Sequence, residues 1–166
     1  MSTPSEGAGF ALAPDDGDAI WFNGALGLIK ASTETTAGRF AAMEVRGPRG
    51  FGSPLHIHRN EDEFFLVMDG EVRVRHGEDI AEAGPGSLVY GPRDVPHAFT
   101  VDSDEARLLL FFAPSGVEGF FREASKPARA IEIPPADERF LDRESLMAIA
   151  ERFGQEFIGP PLPPKD

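Results

Sequence analysis

His56 and His58 form a His-x-His pair around Ile57, and Glu63 follows after four intervening residues. In a strand, residues two apart face the same side. His56 and His58 therefore point together while Ile57 points away. Two imidazoles on one face begin a metal site. Glu63 opens the apolar run Glu63–Met68 and shares a face with Phe65 and Val67. A carboxylate on that face is expensive to bury unless it is paired or bound to a metal. His97 begins a later run, His97–Val101, and shares its face with Phe99 and Val101. Antiparallel pairing can bring that run beside the first. Three neutral imidazoles and one carboxylate suit a divalent transition metal better than Mg or Ca. Fe(II), Mn(II), Ni(II) and Co(II) fit the set, and Zn or Cu would also be held. The sequence has 4 histidines. The fourth, His76, precedes Gly77 and reads as the end of a hairpin.

Short strands must position these groups. Apolar runs separated by turn residues predict strands at Leu26–Ala31, Arg39–Arg46, Glu63–Met68 and Glu71–His76. Further runs follow at Asp79–Ala83, Ser87–Tyr90, His97–Val101 and Arg107–Phe112. Asp69-Gly70 is a hairpin signal. No helical pattern of 10–15 residues separates the central strands, which argues against a parallel α/β sheet. The spacing predicts an all-β domain, an antiparallel sandwich or barrel. After Ala113 the chain changes character. Phe120–Ala124 reads as a short helix. Asp142 is an N-cap, and Leu146, Ile149, Ala150 and Phe153 fall on one helical face before Gly154. Gly159–Pro164 is rich in proline and expected to be stiff and polyproline-like. The expected organisation is a flexible arm over 1–18, a β-domain over 19–118, and a C-terminal extension over 119–166 with a helix near 142–153.

Composition excludes several function classes. Lys and Arg total 16 against 28 Asp and Glu, a net charge of −12 in 166 residues. That balance argues against a nucleic-acid partner, which needs a basic footprint. There is no cysteine, so disulfides and thiolate metal sites are excluded. No window of 18 apolar residues occurs, and the opening MSTPSEGAG lacks a basic start and an apolar run. The expectation is a cytoplasmic protein without a membrane partner. Gly 18 and Pro 15 suit a fold with many turns. Phe65, Val67, Phe99 and Phe111 are the candidate lining of a pocket around the ligands. Trp21 and Tyr90 read as core, and Arg39, Arg49 and Arg59 as solvated surface.

Gly50, His56, His58, Glu63 and Gly70 resemble the first motif of the cupin superfamily throughout. Gly86, Pro92 and His97 match its second motif, with Asp94 in place of a glycine and Val101 in place of an asparagine. The wider sequence resembles small single-domain bacterial cupins of the quercetin-dioxygenase-like group. The resemblance implies a single antiparallel jelly-roll barrel with the C-terminal helix packed outside, and a homodimer. It implies His56, His58, Glu63 and His97 as metal ligands and Glu63 as the catalytic base. The activity it implies is a metal-dependent dioxygenase that cleaves an enolisable flavonol-like or diketone substrate with O2. A metal-dependent isomerase or cyclase would use the same Glu63 without O2. A non-catalytic ligand-binding or regulatory module is a third reading, since fold does not choose function.

Overall fold

The computed structural model describes residues 7–163 and 165. The chain runs β1 (Asp18–Phe22), β2 (Ala25–Ala31), α1 (Thr33–Thr36), β3 (Ala41–Pro48), β4 (Pro54–His58), β5 (Asp62–Asp69) and β6 (Val72–His76). It continues through β7 (Asp79–Ala83), β8 (Leu88–Gly91), β9 (His97–Val101), β10 (Glu105–Ala113) and α2 (Glu118–Glu123). The last elements are β11 (Lys126–Pro127), α3 (Arg143–Arg152) and β12 (Gln155–Pro161). Two antiparallel sheets result. The larger has the order β11-β1-β2-β3-β10-β5-β8, the smaller β12-β4-β9-β6-β7.

The expected single closed jelly-roll barrel does not form. Both sheets stay open, ending at β11 and β8 in one and at β12 and β7 in the other. The physical reason is that alternation reports only that one face of a strand is buried. Two facing open sheets satisfy it as fully as a closed one. The core lies between the inner faces. Phe65 and Val67 of β5 and Leu108, Leu110 and Phe112 of β10 meet Val72 and Val74 of β6 and Phe99 and Val101 of β9.

The turn at Asp69-Gly70 also departs from the hairpin expectation. β5 pairs with β10 and β8, whereas β6 lies in the other sheet between β7 and β9. Gly70 has φ +80°, and an added Cβ would meet the Glu105 carbonyl oxygen at 2.4 Å. The glycine thus serves a crossing between sheets packed tightly on the start of β10. Strand β12 is a second departure. Gly159-Pro160-Pro161 joins a ladder on β4 instead of a free polyproline end, with register shifts at Gly159 and Pro161. Proline is tolerated there because β12 is an edge strand. Pro164 and the first six residues of the expected N-terminal arm lie outside the described residues.

The helix α3 starts at its expected cap, where Asp142 Oδ1 accepts from the Ser145 N–H at 2.8 Å. Gly154 follows its C-terminus with φ +75°. Leu146 and Ala150 are buried against Phe120 and Ala124. Trp21 is buried on the outer face of the larger sheet with Leu26 and Leu28, and its indole N–H donates to the Glu132 carbonyl at 2.9 Å. No helix among the described residues is long and apolar enough to cross a membrane.

One ion cluster secures the middle of the larger sheet. Glu44 on β3 is 3% exposed. Its carboxylate accepts from Arg46 Nε at 2.8 Å and from Arg107 Nε and Nη2 at 2.7 and 3.0 Å. Burial alone would raise its pKa, but the hydrogen bonds from Arg107 and Arg46 outweigh that and hold it below the usual carboxylate range. Removing one partner of a buried pair strands the other charges. We expect Glu44→Ala to lose about 3 kcal/mol, read as a Tm lower by roughly 10 °C. A depressed folded-state pKa means the contribution is full at neutral pH and fades as pH falls below about 4. Urea melts at pH 7 and pH 3 should therefore differ less for the variant than for the parent protein.

Candidate metal centre

Both sheets contribute to one buried cluster. β4 has an alternating pattern that buries His56 and His58 while leaving Ile57 half-buried on the other side. β9 is its neighbour, and His56 stands opposite His97 in that ladder. Glu63 comes from β5 in the other sheet, on the buried set it shares with Phe65 and Val67. Only residues 59–61 separate β4 from β5. That short connection is pinned by the Asp94 N–H, which donates to the His58 carbonyl at 2.8 Å. Asp94 has φ +64°, so it adopts the left-handed turn that glycine provides in the resembling motif. Aspartate is among the few residues that visit this region at modest cost.

All four ligand atoms converge. His97 Nε2 lies 2.8 Å from Glu63 Oε2, and His58 Nε2 lies 3.1 Å from the same oxygen. His56 Nε2 is 3.1 Å from His58 Nε2 and 3.9 Å from Glu63 Oε2. One donor atom from each of the four residues lies within 4.8 Å of all the others. Donors at about 2.1 Å from a shared ion would be about 3.0 Å apart at a right angle and about 4.2 Å apart when opposed. The observed spacings run from 2.8 to 3.9 Å, just below the first value to just below the second.

The outward nitrogens decide which atoms face the centre. His56 Nδ1–H donates to the Pro54 carbonyl at 2.9 Å, and His97 Nδ1–H donates to the Val95 carbonyl at 3.0 Å. His58 Nδ1–H donates to Glu61 Oε1 at 2.5 Å. Each bond fixes a ring and directs Nε2 inward. The donor set therefore fits a divalent transition metal, with His56, His58, His97 and Glu63 as the residues that would hold it.

Electrostatics follow from this packing. Burial lowers the His56 pKa to about 3, assisted by the neighbouring His97 and His58, so it is neutral. Burial acts the same way on His58, but hydrogen bonds to Glu61 and Glu63 outweigh it and raise the pKa to about 9. Burial would raise Glu63, yet hydrogen bonds from His58 and His97 prevail and hold it well below the usual carboxylate range.

The cluster borders a cavity of about 70 Å³. His56, His58 and Glu63 reach its wall, and most of the remainder is apolar. Of the expected lining residues, Phe99 is on the wall, while Phe65 and Val67 are packed in the core between the sheets. Phe111 faces outward, 37% exposed, beside Phe40. Its neighbour Phe112 takes the inward place. The alternation of β10 explains this. Arg107 shares the period of Phe111 and marks the solvent side, which is a signal present in the sequence. Glu61 was also not singled out by the motif, although a carboxylate three residues after a ligand is a sign of a partner for it. It is 1% exposed. The wall completed by the C-terminal extension, with Phe120, Leu146, Gln155 and Phe157, has no signal in the sequence. His76 is separate, its Nε2–H donating to the Tyr90 carbonyl at 2.7 Å at the β6–β7 hairpin end.

Residues 43–114 match the family model described as a cupin domain. Across 154 residues the chain is 23% identical to quercetin 2,3-dioxygenase of Bacillus subtilis, covering 89% of this chain and 46% of that protein. The chain spans about half the length of the curated relatives it matches. Solved structures share the fold. Oxalate decarboxylase of Bacillus subtilis superposes with a TM-score of 0.56 and 23% identity, covering 69% of this chain and 31% of that one. KdgF of Halomonas sp. gives 0.53 and 21%, covering 58% and 84%. The buried cluster of three histidines and one glutamate lies within the segment that matches the family model.

The site makes two expectations about metal content. His58→Ala should remove most bound metal while leaving the far-UV circular dichroism of the strands intact. Glu61→Gln should weaken metal affinity by about 10- to 100-fold, since it keeps the ring but loses the carboxylate that orients it. Both are read by elemental analysis after dialysis against a weak chelator. Parental metal content in the His58 variant would remove that residue from the centre.

Proposed function

We propose that this cupin domain is a metal-dependent dioxygenase that cleaves a small enolisable ketone, with one Fe(II), Mn(II), Ni(II) or Co(II) ion held by His56, His58, His97 and Glu63. The observation that carries the reading is the position of Glu63. A carboxylate held ionised in a nearly dry site faces the same small apolar cavity as His56 and His58. The relative named quercetin 2,3-dioxygenase supports the same class of chemistry.

The ion, when bound, supplies Lewis acidity toward an enol oxygen and redox contact with O2. The protein's own part begins with a proton. Glu63 faces the imidazoles through Oε2. Oε1 is then the atom that receives the substrate proton as the enolate forms. His97, oriented by the Val95 carbonyl, and His58, oriented by Glu61, hydrogen-bond to Glu63 and keep it aimed. Phe99, Phe112 and Phe157 on the wall keep water from the electron-rich carbon. O2 is reduced as one carbon–carbon bond of the enolate breaks, and its two oxygen atoms end in the two carbonyl fragments. The protein is proposed to act as a homodimer in the cytoplasm.

An oxygen-electrode screen of Fe(II)-, Mn(II)-, Ni(II)- and Co(II)-loaded protein with small 1,2- and 1,3-dicarbonyls tests the reading. Uptake of one O2 per substrate is expected. Glu63→Gln should reduce the rate at least about 100-fold while retaining part of the metal. Undiminished uptake in that variant would end the base role. Turnover of the ketone without O2 uptake would mark an isomerase or cyclase instead.

A further inference from the structure

Gln155 is the first residue of β12 and stands opposite His58 in the ladder on β4. It is 4% exposed and lies on the wall of the cavity. Its Nε2 is buried, and no protein acceptor among the described residues reaches it. Buried amides are almost always paired, because an unmade hydrogen bond is costly. A leucine would fill the place without stranding a donor. The partner of this amide must therefore come from the contents of the cavity.

The backbone around Gln155 holds it in place. Arg59 N–H donates to the Gly154 carbonyl at 2.8 Å. Arg59 Nε and Nη2 donate to the two carboxylate oxygens of Glu156 at 2.8 and 2.9 Å. A Cβ at residue 154 would meet Asn60 Nδ2 at 2.4 Å, so the strand enters in close contact with the β4–β5 connection. The residues on either side of Gln155 are thus tied to the connection that follows His58.

We infer that Gln155 is a substrate-binding residue whose side-chain N–H donates to the second oxygen of a small enolisable dicarbonyl, the first oxygen facing the imidazole cluster. This rests on the dioxygenase reading and deepens it by naming the ligand class. Two oxygens on a short carbon frame satisfy both the cluster and the amide. A monoketone satisfies only one of them. The rest of the wall is mainly phenyl and methyl surface, which gives affinity for the frame but no direction.

Binding separates this from catalysis. The Zn(II)-loaded protein, which cannot exchange electrons with O2, is titrated calorimetrically with acetylacetone and with pentan-2-one. Gln155→Leu should weaken acetylacetone binding about tenfold and leave pentan-2-one within about twofold. Its Tm should equal or exceed that of the parent, since a stranded donor is removed. Gln155→Met carries the same comparison if the leucine variant does not fold. Equal acetylacetone affinity in parent and variant overturns the inference. So does a parallel loss for both probes, a marked fall in Tm, or no binding of acetylacetone by the parent. A Gln155-dependent contrast in a protein that consumes no O2 sustains the inference and ends the dioxygenase reading alone.

Discussion

One buried carboxylate meets three imidazoles, and the rest of the molecule is organised around that meeting. Glu63 belongs to one sheet and His56, His58 and His97 to the other, so the cluster is a polar tie through an otherwise apolar interior. Such a tie is tolerable only if every polar atom is answered. Here each outward nitrogen finds a carbonyl or carboxylate, and each inward nitrogen faces the common centre. The three-residue connection between β4 and β5 makes the arrangement stiff. It carries Glu61, which orients His58, within the same span that brings Glu63 across.

The cavity depends on parts of the chain outside the segment that matches the cupin family model. Residues 43–114 hold the ligands, but α2, α3 and β12 close the wall around them. Leu146 of α3 reaches the cavity, so the helix does more than cover the outside of the sheets. The ladder of β12 on β4 then places Gln155 beside His58 and Phe157 beside His56. The C-terminal extension is thereby part of the site's shape, and with it of which ligands fit.

Much of the fold was legible from local pattern. Strand positions followed from turn residues and period-two alternation, and the helix from its cap, its apolar face and its closing glycine. The motif residues were legible because ligand chemistry restricts which types can serve, and because spacing of two in a strand forces a common side. Errors arose where a local signal is ambiguous between partners. Asp69-Gly70 announces a turn, but a turn does not state which sheet the next strand joins. Phe111 and Phe112 are adjacent and chemically identical, so only the phase of β10, marked by Arg107, separates inner from outer. Sheet closure has no local signal at all, since it concerns pairing at edges far apart in the chain.

The amino-acid sequence alone determined the ligand types, their sides on each strand, the acidic surface and the absence of thiol chemistry. These depend on side-chain chemistry and on backbone periods that each segment carries within itself. Tertiary structure decided that the sheets remain open, that Glu61 turns inward to hold His58, that Phe112 rather than Phe111 faces the cavity, and that Gln155 is set on the cavity wall with no acceptor for its Nε2 among the described residues. Those outcomes depend on contacts between residues distant in sequence, where packing and hydrogen-bond satisfaction over the whole interior select one arrangement among several with the same local pattern.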